Sequence, residues 1–437
     1  MGRVPPPHAG FEVVPQAEAH DLVADVAALA QTDDIEAALD AMDPPFVAYG
    51  LLEVALARYR PLARDPSLTV ELSDRIVRAG DALPEAAALR RRLRATGDLR
   101  EAPDTPRPGL YDATLAVGVR RFQRRHGLAP DGILGPNTAA ALAVPLAERV
   151  RQIEFALERF RWLPHRFASP PIAVNIPELR LFAVREKDGR YVRSDEDLSM
   201  RVIVGEAWER QTPVFHSDLQ RIVFWPYWHV PSSIVREEML PATLLDPGYL
   251  ERQHLEIVAR YGADETLPPS PDNLARLGRD ELRLRQRPGR HNALGLVKFL
   301  LPNPYRVYLH GTPEPWLFDE ERRALSHGCI RVEDPLALAR YVLRDEPGWT
   351  PARIERALAG PDTLEVDVTR PIPVYVLYVT AVSRPDGSVH FFEDLYGLDS
   401  WLRILLDGIP PDDARACSDA TPHCAYGSLA SQSASSP

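Results

Sequence analysis

Apolar residues recur at helical spacing through the first third of the chain and at strand spacing through most of the remainder. Ile35, Leu39 and Met42 fall on one face behind an Asp33-x-x-Glu36 start, and after Pro44-Pro45 the residues Leu52, Ala55, Leu56 and Tyr59 repeat the stripe. Both stripes predict helices facing a core, a scaffold with no chemistry of its own. From about Leu83 to Val144 three shorter helices are expected, marked by Leu89 and Leu93, by Leu115, Val119 and Phe122, and by Thr138 to Leu142. Gly127 suits the left-handed end of a helix and Asp131-Gly132 a turn, while Pro136 competes with Thr138 for the start of the third helix. A further helix through Val150, Ile153, Leu157 and Phe160 ends before Pro164. Its spacing predicts packing back on the scaffold, which would make the three-helix segment an insertion.

Beyond Pro164 the period becomes two. Strands are expected at Ala173 to Ile176, Leu179 to Val184, Arg201 to Val204, Ile222 to Trp225, Arg306 to Leu309 and Val374 to Val379, giving a strand-dominated domain. Polar, proline-bearing and helical stretches interrupt it between Val235 and Arg290, as a mobile lid over a site or as a passive insertion. After Pro410 the chain turns Ser-, Pro- and Asp-rich, a composition that predicts disorder.

With 437 residues, two or three domains are expected. A formal net charge of -11 argues against nonspecific nucleic-acid binding, which needs clustered cations to displace counterions. It leaves open a polymer read by shape and hydrogen bonds. No window approaches the ~18 to 20 apolar residues of a membrane span, and Met1 to Pro7 lacks the apolar core of a secretory signal. Of the three cysteines, Cys417 and Cys424 are spaced for a local disulfide or are two free thiols of a tail.

The third, Cys329, lies in Ser326-His327-Gly328-Cys329-Ile330-Arg331-Val332, nineteen residues after His310 in Tyr308-Leu309-His310-Gly311-Thr312. A cysteine attacks as thiolate and needs an imidazole, a nearby cation or oriented amides. His310 and His327 supply imidazoles and Arg331 a cation, and Gly328 lets the backbone approach a substrate carbonyl. Zinc bound by His310, His327 and Cys329, with His291 completing the set, is the competing arrangement. The spacing lacks C-x-x-C or H-x-x-x-H, and a lone cysteine with separate histidines fits nucleophilic catalysis better.

These two motifs resemble the signature of the YkuD-type L,D-transpeptidases, bacterial enzymes that cross-link peptidoglycan. The resemblance extends to Phe224-Trp225-Pro226-Tyr227-Trp228-His229-Val230-Pro231 and to the run from Arg287 to Phe299, as in the large Gram-negative branch with a capping insertion. The stretch from Phe122 to Thr138 is similar to a small peptidoglycan-binding module. Together they imply a multidomain α+β protein: a helical scaffold (1–82), the module (83–145), a scaffold helix (146–168), a β-rich catalytic domain (169–400) with a capping subdomain (235–290), and a partly disordered tail (401–437).

By the same resemblance Cys329 attacks a tetrapeptide stem at its third residue, releases D-alanine and passes the acyl group to another stem, forming 3-3 cross-links. His310 would be the base, Gly311 would fix its tautomer through its carbonyl, and His327, Gly328 and Cys329 would form the oxyanion hole. Tyr308, Ser326, Arg331, Trp228 and Tyr227 are candidates for substrate contact. Ser326 and Arg331 could instead shape the loop, Arg331 through an ion pair with Glu333 or Asp334, and the aromatics could be core. The resemblance implies no cofactor or metal, peptidoglycan and other wall-synthesis proteins as partners, acylation by carbapenems, and a periplasmic place reached with a leader removed or not included. An L,D-carboxypeptidase or a hydrolase of wall-attached proteins would use the same cysteine. A noncatalytic wall-binding scaffold would not need it.

Overall fold

The computed structural model describes residues 2–6, 11, 22–72, 75–99, 109–207 and 210–408. Cys417, Cys424 and the expected tail beyond 408 lie outside the described residues. Two compact units emerge, one of Met1–Ser194, Ala207–His216 and Tyr375–Pro437, the other of Asp195–Glu206 and Ser217–Val374. In chain order the strands are β1 (Ile172–Asn175), β2 (Arg180–Lys187), β3 (Arg190–Gly205), β4 (Phe215–Phe224), β5 (Trp228–His229), β6 (Leu255–Val258), β7 (Thr266–Leu267) and β8 (Arg283–Gln286). They continue with β9 (Val297–Leu300), β10 (Leu309–His310), β11 (Ala324–Ser326), β12 (Ile330–Val332), β13 (Leu364–Leu377), β14 (Ala381–Ser383) and β15 (Val389–Phe391).

In the first unit the helices Val47–Leu62 and Leu146–Phe160 pack together. Leu52, Ala55 and Tyr59 are buried, as their stripe predicts. The stripe on Ile35–Met42 behaves otherwise: Ile35 is 56% exposed, Leu39 51% and Met42 40%. Spacing decides which residues share a helix face, but only a neighbouring element can cover that face. At the other end of the chain, residues 401–406, expected in the tail, complete the helix Leu398–Leu406, which buries Leu398 and Leu402.

Residues between Val70 and Leu142 share one core that includes Leu83, Leu89, Leu93, Tyr111, Leu115, Phe122 and Leu134. Asp112 caps the helix Ala113–Arg125 by accepting from the Leu115 amide at 2.8 Å. The helix ends at left-handed Gly127 (φ 70°), and the turn residue Gly132 has φ 76°. Buried Gln123 staples that turn, its side-chain nitrogen donating to Asp131 Oδ1 at 2.8 Å and its oxygen accepting the Gly132 amide at 2.8 Å. Pro136 opens the next helix and Gly135 is its cap, so Thr138 is not the cap; its hydroxyl lies 3.1 Å from Gln123 Nε2. This core is tied to β15: Arg125, paired with buried Asp98, donates to the Val389 carbonyl at 3.1 Å. His126 stacks on both Phe122 and Phe391.

The second unit is built on the strand order β11-β3-β12-β10-β9-β4-β13, to which β3 contributes 195–205, β4 217–224 and β13 364–374. The pairs β10–β12 and β11–β3 are parallel, and β3–β12, β9–β10 and β4–β9 antiparallel. The expected strand at Arg306 starts late, because Arg306 sits in a left-handed turn (φ 58°) and the ladder begins at Leu309. The interrupted stretch after Val235 folds into helices and the strands β6, β7 and β8, which join β5 in a smaller sheet of order β5-β8-β6-β7. Val230, Leu250, Ile257, Leu277 and Leu284 form its core.

Candidate active site

Three adjacent strands carry the motif residues to one face of the larger sheet. In the parallel pair β10–β12, Leu309 lies opposite Ile330 and His310 opposite Arg331. The Ile330 amide donates to the Tyr308 carbonyl at 3.1 Å, continuing the alignment back to Cys329. Side chains alternate along extended chain, so Tyr308, His310, Cys329 and Arg331 share a face while Leu309, Ile330 and Val332 are buried on the other. On the opposite flank of β10, β9 sets Lys298 beside His310. The Lys298 nitrogen lies 3.9 Å from the centre of the Tyr308 ring.

His310 is buried, with Nδ1 2.6 Å from the Gly311 carbonyl oxygen. A carbonyl can only accept, so this contact places the proton on Nδ1 and makes Nε2 the basic nitrogen. Burial, with positive Arg331 nearby, lowers the His310 pKa to about 3, so the ring does not titrate near neutrality as an ordinary histidine would. Cys329 is half-buried, its sulfur 4.0 Å from the Arg306 carbonyl oxygen. Burial raises its thiol pKa, against the opposing influence of Tyr308, Lys298 and Arg331. The resting pair is therefore thiol and neutral imidazole.

The loop between β11 and β12 is braced from within. Buried Ser326 donates its hydroxyl to the Cys329 carbonyl at 2.5 Å and accepts the Gly328 amide at 3.1 Å, so it shapes the loop. Gly328 takes φ 110°, a conformation that side chains disfavour. Of the three amides expected at an oxyanion hole, that of Gly328 is thus engaged. Those of His327 and Cys329 have no acceptor among the described residues.

Arg331 pairs with Glu314 at 2.9 Å, a different partner from the two expected. Glu333 is held by Arg201 at 2.7 Å, and Asp334 caps the helix Pro335–Val342. His327 faces outward, its Nε2 2.7 Å from Glu238 Oε1 in the π-helical turn Val235–Met239. Burial and neighbouring Cys329 hold the Tyr308 hydroxyl well above its ordinary pKa, and Trp228 acts in the opposite direction. Trp228 therefore joins Tyr308 and Cys329. Tyr227 lies under Arg285, whose guanidinium is 4.5 Å from the ring centre. His291 stacks on His254 with ring centres 3.6 Å apart. Among the described residues, no three His, Cys, Asp or Glu side chains are grouped to hold a metal ion.

The family model described as the L,D-transpeptidase catalytic domain, YkuD, matches residues 170–368, a span that includes all of these residues. The chain carries a YkuD catalytic domain. A second family, described as "Putative peptidoglycan binding domain", matches residues 83–142, the core around Phe122 and Gln123. The protein thus joins a helical N-terminal region with a peptidoglycan-binding domain to a β-rich YkuD domain, a mixed α+β arrangement. A curated relative from Haemophilus influenzae, named "Putative L,D-transpeptidase", is 36% identical over 233 residues, 53% of this chain and 45% of that protein. The match thus spans less than half of the relative's length. A solved structure from Clostridium acetobutylicum, a fused Zn-dependent amidase/peptidase/peptidoglycan-binding domain-containing protein, covers 70% of this chain and 100% of its own at 10% identity. Its TM-score of 0.17 supports no argument about fold.

Sequence reasoning passed over three residues around the YkuD motif. Glu314 and Glu238 carry no local signal, because each meets its partner only through the tertiary fold. Lys298 did carry one: a lysine between Val297 and Phe299 interrupts an apolar strand. Only the register of β9 on β10 reveals that it shares a face with His310.

Proposed function

We propose that this protein is a peptidoglycan L,D-transpeptidase acting outside the cytoplasm, in the periplasm, with Cys329 as nucleophile and His310 as base. The observation that carries this reading is the parallel register of β10 and β12 within the YkuD match, with His310 Nδ1 anchored on the Gly311 carbonyl. The Cys329 sulfur attacks the carbonyl of the third stem residue as its proton passes to His310 Nε2. The two neutral resting groups favour transfer during attack over a preformed ion pair. The open amides of His327 and Cys329 receive the developing oxyanion. Cleavage of the C–N bond then returns the proton from His310 to the departing D-alanine amine and leaves a thioester.

The side-chain amine of a second stem attacks that thioester and gives its proton to His310. Breakage of the C–S bond restores the thiol and joins the third residues of two stems. The peptidoglycan-binding domain supports the same polymer as substrate, since tethering raises the concentration of stems near Cys329. The stretch after Val235 acts as a cap, with Glu238 on His327 as its contact with the motif loop. Mass spectrometry of muropeptides after incubation with the purified protein tests the proposal. Cross-linked dimers with loss of D-alanine are expected. Tripeptides alone would assign the protein to the carboxypeptidases, and unchanged tetrapeptides would remove the enzymatic reading.

A further inference from the structure

Lys298 has a half-buried ammonium group whose described contact is the face of a neutral ring. Its nitrogen lies 3.9 Å from the Tyr308 ring centre, and no carboxylate pairs with it among the described residues. The other cation beside His310, Arg331, is already matched by Glu314 at 2.9 Å. A sequestered ammonium is costly unless an anion or water compensates it. The site therefore presents a cation without an ion-pair partner among the described residues: the carboxylate that acts on it from further off, Glu365, is held by Arg221 at 2.7 Å.

Strand order limits which anion can do so. Lys298 belongs to β9 and Cys329 adjoins β12, with β10 between them, and two such strand spacings are roughly 10 Å. Across the sheet the sequence is nucleophile, His310, then Lys298. A donor acylating Cys329 places its scissile nitrogen near His310, and the carboxylate of the leaving amino acid projects beyond that nitrogen, away from Cys329.

Resting on the transpeptidase reading, we infer that Lys298 binds the terminal carboxylate of the donor stem, which makes it a specificity-determining residue for peptides that end in a free acid. The full-length protein carrying Cys329→Ala tests this by equilibrium binding without turnover. The probes are a synthetic stem tetrapeptide ending in D-alanine and the same peptide ending in D-alanine amide. With Lys298 intact, the acid should bind about tenfold or more tighter than the amide, the strength of a charge-assisted hydrogen bond.

Adding Lys298→Met should erase that preference by weakening the acid alone, whereas Lys298→Arg should preserve part of it. Equal binding of the two probes to the Lys298 protein would overturn the inference. So would equal weakening of both by Lys298→Met, the mark of a structural role. A retained acid preference in Lys298→Met, together with an upward shift in the pH profile of iodoacetamide alkylation when Cys329 is present, would make Lys298 a counter-charge for the thiolate instead. D-alanine release by the unmodified protein is scored separately. Its absence would remove the transpeptidase reading while an acid preference still identified a carboxylate site.

Discussion

At the residue scale, the proposed chemistry rests on Cys329 and His310, whose surroundings keep both neutral. In the proposed mechanism Cys329→Ala removes the sulfur that forms the thioester, so turnover of tetrapeptide should fall to background. The melting temperature should stay within a few degrees, because a half-buried sulfur contributes little packing. Turnover comparable to the unmodified protein, read by muropeptide analysis, would reassign the nucleophile. The pH dependence follows from the two shifts: His310 is lowered to about 3 and the Cys329 thiol is raised. Neither group changes protonation between about pH 5 and 8, so kcat/KM for the tetrapeptide should be nearly flat there. A fall in kcat/KM below about pH 6.5 would instead report a histidine with an ordinary pKa.

At the element scale, the helix Ala113–Arg125 joins the core around Phe122 to β15. Its last residue, Arg125, forms a pair with Asp98 in which both side chains are less than a tenth exposed, and Arg125 also reaches the Val389 carbonyl. Asp98→Ala would leave a guanidinium buried without its counter-charge, a loss of about 3 to 5 kcal/mol. Denaturant unfolding should read that loss as a lowered midpoint, and a change below about 1 kcal/mol would mean that water replaces the carboxylate. Deleting the whole segment would bare Phe391 as well, since His126 stacks on it. Wall binding by this domain is therefore better probed by changing its exposed side chains than by removing it.

At the scale of the whole molecule, buried histidines link stability to acid. Burial lowers His310 to about 3 and, with Arg384, His390 to about 4; burial with Arg125 and Arg149 places His126 well below its ordinary value. Each is neutral when folded, while in the unfolded chain it takes up a proton near pH 6.5. The unfolded state therefore binds more protons as pH falls, and stability declines from about pH 6.5 toward pH 3. For each fully buried histidine the slope approaches about 1.4 kcal/mol per pH unit. Melting temperatures should be level between about pH 7 and 8 and fall steadily below 6.5, and a melting temperature unchanged down to pH 4 would contradict these burials.

The sequence alone determined what local physics fixes. Helical stripes, the change to a period of two, left-handed Gly127, the turn at Gly132 and the family resemblance all depend on neighbouring residues or on motif spacing, and each is present in the chain as written. The candidacy of His310 and Cys329 was legible because both motifs are short and specific. Tertiary structure decided what depends on partners distant in sequence. It left Ile35, Leu39 and Met42 exposed, gave Arg331 to Glu314, turned Ser326 inward, lowered His310 and set Lys298 beside it. Burial, strand register and ion pairing are properties of the neighbours a fold brings together, and the periodicity of one segment does not contain them.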